Sequence, residues 1–135
     1  MKTSQSSASI VGGATVYAKD LPRVGRFYEK VCGFAPIQRE ADFLVLERGD
    51  LQLVVVEIPE HIARTFEIPT PAPRREDSAL KLVFVVESIA RARESAKMLG
   101  GVVDLAEREW EFRDMRVCDG HDPEGNVIQL REHAL

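Results

Sequence analysis

The chain has 135 residues, of which 44% are hydrophobic and 30% charged, with a formal net charge of −4 at pH 7. That length fits one domain with its own core, and the acidic balance removes the electrostatic basis for binding nucleic acid. No apolar run approaches the roughly 20 residues of a membrane-spanning helix. The Ser-rich start, residues 1–9, lacks the apolar stretch of an export signal and reads as a disordered tail.

Residues 10–19 read as a strand weakened by Gly12 and Gly13, with Gly13, Thr15 and Tyr17 on one face and Ala14, Val16 and Ala18 on the other. Asp20 is a natural N-cap, and Pro22 is tolerated in a first helical turn. Val24, Phe27, Tyr28 and Val31 then form the stripe of an amphipathic helix that Gly33 ends. Strands are predicted at 35–39, 42–47 and 51–58, the last two joined at Arg48-Gly49-Asp50. Residues 59–78, with Pro59, Pro69, Pro71 and Pro73, read as a long irregular connection or lid, with Phe66 packing against the loop itself.

The pattern then restarts. Lys81-Leu-Val-Phe-Val-Val86 is an apolar strand, Ser88 caps a helix carrying Ile89, Ala92, Ala96 and Leu99 on one face, and Gly100-Gly101 ends it. Strands are predicted at 102–107, 114–119 and 126–132, with Asp122-Pro123-Glu124-Gly125-Asn126 turning between the last two. Asp20 and Glu87, Lys30 and Lys97, and Gly33 and Gly100 recur at one common separation. This duplicated order predicts an α+β fold of two tandem βαβββ modules, 10–58 and 79–132, in a single domain spanning 10–132. The strands would form a curved mixed sheet, a half-barrel cup with the helices outside, and such a concavity is the default binding site.

Cys32 and Cys118 lie in no CxxC motif and read as buried, reduced thiols, which with no export signal predicts a cytoplasmic protein. His61, His121 and His133 share no spacing and read as surface or turn residues. No Ser-His-Asp order, nucleophile elbow or phosphate loop is present, so catalytic residues stay unassigned.

Val16-Tyr-Ala-Lys-Asp-Leu21 followed by Arg26-Phe-Tyr-Glu-Lys-Val-Cys-Gly-Phe34 resembles the opening of the glyoxalase/bleomycin resistance/dioxygenase superfamily, the vicinal oxygen chelate (VOC) proteins. Asp122-Pro-Glu-Gly-Asn-Val-Ile-Gln-Leu-Arg131 is similar to that family's closing hairpin, and the two stretches bracket nearly the whole chain. The resemblance implies that metal-using relatives place His, Gln or Glu on the first and last strand of each module. A divalent metal held there polarises two neighbouring substrate oxygens. Carried onto this chain, the positions fall on Gly13, Leu53 or Val54, Lys81 and Gln129. Only Gln129 offers a donor, and a weak one, because a protonated lysine is no ligand. A divalent site needs about three. No metal cofactor is therefore expected, although the family permits one. Lys81 would instead bring positive charge to the place where relatives keep a cation.

Strand parity gives the candidate ligand-binding residues. If Gly13, Lys81 and Gln129 face inward, so do Tyr17, Val83 and Arg131, while Leu82, Phe84, Val86, Ile128 and Leu130 pack under the helices. Leu53, Val55 and Glu57 join the inward set if Leu53 matches Gln129. Inside an apolar cup Glu57 would have a raised pKa suited to acid–base work. Trp110 and Phe112, in a charged loop, would wall the pocket or form a dimer contact.

Arg48-Gly-Asp-Leu-Gln-Leu53 is similar to the matching strand of the bleomycin-resistance subgroup, some of whose members sequester a ligand without chemistry. The leading expectation is a metal-free protein that holds an aromatic or polar organic ligand in the cup. A lyase, isomerase or dioxygenase of the same superfamily is the alternative, and a structural or regulatory dimer the third reading. A homodimer is expected, with neither nucleic acid nor membrane as partner.

Overall fold

Asp20 turns the first strand into the first helix. Its carboxylate accepts the Arg23 amide at 3.2 Å, as an N-cap residue should. The computed structural model describes residues 9–134, so the expected tail at 1–9 lies outside the described residues except for Ser9. Strand β1 (Gly12–Ala18) leads into α1 (Leu21–Cys32), whose stripe of Val24, Phe27 and Tyr28 is wholly buried. Gly33 ends the helix at φ 79°, a left-handed conformation that suits glycine.

Strands β2 (Ala35–Arg39), β3 (Phe43–Arg48) and β4 (Leu51–Glu57) complete the first sheet in the order β1-β4-β3-β2, with β1 parallel to β4. A single helical turn, α2 (Glu60–Ala63), opens the connection. The second module runs β5 (Leu82–Val85), α3 (Ile89–Met98), β6 (Val102–Val103), β7 (Trp110–Phe112), β8 (Met115–His121) and β9 (Val127–His133). Its sheet has the order β5-β9-β8-β6, with β7 paired to the other end of β8. The curved surface is thus built from two open mixed sheets, of four and five strands.

The second strand of the second module differs from expectation. It stops after Val103, gives way to a 3-10 turn at Ala106–Arg108 and resumes as β7. Trp110 and Phe112 therefore lie on a strand and not in a loop. The turn from β7 to β8 is Arg113-Asp114, with φ of 49° and 64°. This is the geometry of a two-residue hairpin turn, made here without the Gly or Asn that usually marks one.

One core unites the modules on their helix sides. Val16, Ala18, Leu44, Leu46, Leu53 and Val55 of the first sheet join Phe84, Cys118, Ile128 and Leu130 of the second. Phe84 stands edge-on to Phe34 and Tyr28, with ring centroids 5.4 and 6.1 Å apart, a favourable aromatic arrangement. Cys32 and Cys118 are both free and buried.

The turn at Asp122–Asn126 fastens the second module to the first. Asp122 accepts the Tyr28 hydroxyl at 2.7 Å, and its carboxylate also receives the amides of Glu124 and Asn126. The Glu124 carboxylate accepts the backbone amides of Lys19 and Asp20 at 2.9 and 2.7 Å. The 59–78 connection is pinned as well. Arg74 pairs with Asp104 at 2.6 Å and donates Nε to His121 Nδ1 at 2.9 Å, while the Arg75 amide bonds Gly125. His121 is consequently no surface histidine: it is 9% exposed at the end of β8. Phe66 lies under the Lys19 ammonium, 4.6 Å from its ring centroid, and its carbonyl also accepts from that ammonium.

Candidate functional site

Each sheet has a face turned away from the helices. On the first, the pairs Gly13–Gln52, Thr15–Val54 and Tyr17–Val56 stand side by side, and Glu47 opposes Gln52 and accepts its amide at 3.0 Å. Tyr17 is therefore on the uncovered face, 62% exposed. Leu53 and Val55 are not. They pair with Ala14 and Val16 and lie in the core, 2% and 0% exposed. Glu57 pairs with Ala18 on the same side, at the exposed end of β4, and is no buried base. The expected facing of β4 is thus reversed, because aliphatic residues on both its faces leave no alternation to set its phase.

The second sheet follows the alternation of its sequence. Val83 and Asp119 flank Gln129, and Val85 and Val117 flank Arg131, all on the face opposite the core residues Phe84, Ile128 and Leu130. Trp110 registers with Val117 on that face, and Phe112 with Met115. A polar chain crosses it. The Lys81 ammonium pairs with Asp119 at 2.9 Å, Gln129 donates to the other Asp119 oxygen at 3.3 Å, and Arg131 Nε donates to the Gln129 amide oxygen at 2.8 Å. The Arg131 guanidinium in turn lies 5.2 Å from the centre of the Phe112 ring. Lys81, Val83, Trp110, Phe112, Gln129 and Arg131 therefore share one surface, organised by Asp119, which the sequence reading missed.

Between the edge strands β1 and β5, a cavity of about 140 Å³ is lined by Gly13, Gln52 and Val83 together with the core-side Leu53, Leu82 and Phe84. A second, of about 570 Å³, is bounded by Thr15, Tyr17, Leu80 and Val127, with Arg75 of the connection at its wall. On the second sheet Trp110 and Phe112 are 42% and 46% exposed, an exposed apolar area.

The positions where relatives keep a metal do not fit one here. A side chain at Gly13 would run into the Gln52 carbonyl, so the position lacks both a ligand and the room for one. Leu53 is in the core, Val54 is aliphatic, Lys81 is held by Asp119, and the Gln129 amide is engaged at both ends. Among the described residues, no three His, Cys, Asp or Glu side chains converge.

A family model for a glyoxalase-like domain matches residues 13–131. A search of curated proteins finds no match. Among solved structures, the fold is similar to that of a glyoxalase/bleomycin resistance protein/dioxygenase family enzyme from Burkholderia phytofirmans, at TM-score 0.64 and 20% identity over 89% of this chain and 95% of that one. It is also similar to the fosfomycin resistance protein FosX from Mesorhizobium loti, at TM-score 0.62 and 16% identity over 93% and 92%. A bleomycin-binding protein complexed with bleomycin matches at TM-score 0.56 and 19% identity over 90% and 96%. At these identities the likeness is one of fold.

Proposed function

The chain belongs to the glyoxalase-like domain family, and on that premise we propose that it is a metal-free small-molecule-binding protein whose ligand lies on the uncovered faces of its sheets. The observation that carries this reading is the state of the four family metal positions: one glycine with no room for a side chain, one aliphatic, one lysine in an ion pair and one glutamine bonded at both ends. With no metal ligand free at those four positions, the surface is suited to holding a molecule. Tyr17, Val83, Trp110 and Phe112 give it apolar contact area, and Lys81, Gln129 and Arg131 give it polar anchors. That a structurally similar protein binds bleomycin supports the same reading.

The exposed Tyr17, Leu80 and Trp110 also support a homodimer in which a second copy narrows the open face, and the two free thiols suit a reducing compartment such as the cytoplasm. Light scattering after size-exclusion chromatography reads the oligomeric state directly. The ligand-binding claim is tested by a panel of planar organic compounds in the presence of EDTA. Trp110 is the one tryptophan of the chain, so selectively excited tryptophan fluorescence reports on this face. Saturable quenching with a matching rise in Tm supports the reading, and a diverse panel without any effect on either contradicts it.

A further inference from the structure

We propose that the open face of the second sheet selects planar organic anions, aryl carboxylates in particular, and that Arg131 sets this selectivity; the inference rests on the ligand-binding reading above. Arg131 is half-buried and fixed at one edge, where its Nε donates to Gln129 at 2.8 Å. Gln129 is itself tethered to Asp119, and Asp119 to Lys81. The guanidinium plane is further supported by the Phe112 ring, 5.2 Å away. Its two terminal nitrogens take no hydrogen bond and no ion pair among the described residues.

Asp119, the carboxylate that the register places on this face, is committed to Lys81, while Glu132 accepts the Ile89 amide at the start of α3 on the opposite face and Glu109 pairs with Arg93 and Arg116. What remains on this face is a held guanidinium fork with a free end. A fork of that shape matches the two oxygens of a carboxylate, and little side-chain freedom is lost when they meet.

The aromatic residues define the rest of the ligand. Trp110, Val117 and Arg131 form one row across three adjacent strands, so Trp110 stands about 10 Å from Arg131. Phe112 lies beside that row and is 46% exposed. A flat bicyclic body resting on Trp110 and Phe112 brings an attached carboxylate to the Arg131 fork. A neutral amide of the same shape keeps the stacking and loses the charge-assisted bonds.

The test uses 2-naphthoate and 2-naphthamide on the intact protein, with calorimetry for affinity and the single indole N–H resonance for location. The expected result is that the carboxylate binds about tenfold tighter or more than the amide and shifts the Trp110 resonance. Arg131→Gln should erase the preference, Arg131→Lys should keep part of it, and Phe112→Leu should weaken both compounds while preserving it. Equal affinities overturn the inference and leave the ligand-binding reading intact. So does tight naphthoate binding without movement of the indole signal, because the site is then elsewhere. If neither compound binds and the wider panel is also silent, the ligand-binding reading falls and this inference with it.

Discussion

The hydroxyl of Tyr28 donates to Asp122 at 2.7 Å across 94 residues of sequence, and this bond joins the helix of the first module to the last turn of the second. Both side chains are fully buried. Burial and the adjacent carboxylate raise the Tyr28 pKa, so the phenol stays protonated and remains a donor. Tyr28→Phe keeps the ring contacts with Phe27 and Phe84 and leaves Asp122 short of one partner. The expected loss is about 2 kcal/mol, read as a lower urea midpoint at unchanged m-value. A midpoint equal to wild type would show that the bond adds nothing to the union of the modules.

Gly13 tests whether the family's first metal position can be refilled. A Cβ there meets the Gln52 carbonyl, so Gly13→Ala should lower Tm, and Gly13→His should lower it without conferring metal binding. Thermal unfolding with and without Zn²⁺ checks both points. A His variant that is stabilised by metal would mean that the first strand accepts a ligand after all.

His121 makes stability depend on pH. Burial and the neighbouring Arg74 lower its pKa from the ordinary 6.5, and Asp122 and Asp104 oppose that shift more weakly. The folded protein therefore holds the imidazole neutral, with Nδ1 accepting from Arg74. Because the folded pKa lies below the unfolded one, this contribution is complete above about pH 6.5 and is lost as the pH falls through the folded value. His121→Asn, which retains an acceptor near the Nδ1 position, should flatten the fall in Tm on the acidic side of 6.5. An identical slope in wild type and variant would place the titration elsewhere.

The legible parts of this chain are those with local signals. The capped stripes from Asp20 to Gly33 and from Ser88 to Gly100, and the alternation in 81–86 and 126–132, fix two helices and the facing of the second sheet with no long-range information. Strand β4 was opaque because Leu53, Val54, Val55 and Val56 give no polar phase mark. Its facing comes from pairing with β1, where Ala14 meets Leu53. Strand β7 was hidden by a turn, Arg113-Asp114, that adopts positive φ at both residues without the Gly or Asn that usually marks it. The Asp122–Asn126 motif was recognisable as a family mark. Its role in binding Tyr28 and the Lys19 and Asp20 amides was not, because those partners lie 94 to 105 residues away. The same distance problem concealed Asp119, whose link to Lys81 only the sheet register creates.

The central claim concerns the four positions on the open faces, and metal content tests it most directly. Purified protein is incubated with Mn²⁺, Fe²⁺, Ni²⁺ and Zn²⁺ in turn, desalted and analysed by mass spectrometry of the elements. The account predicts far less than one equivalent of each per chain, and ligand-induced quenching of Trp110 that EDTA leaves unchanged. One equivalent of a metal that EDTA strips, with quenching lost alongside it, would contradict the account and make metal-assisted catalysis the leading explanation of the cup.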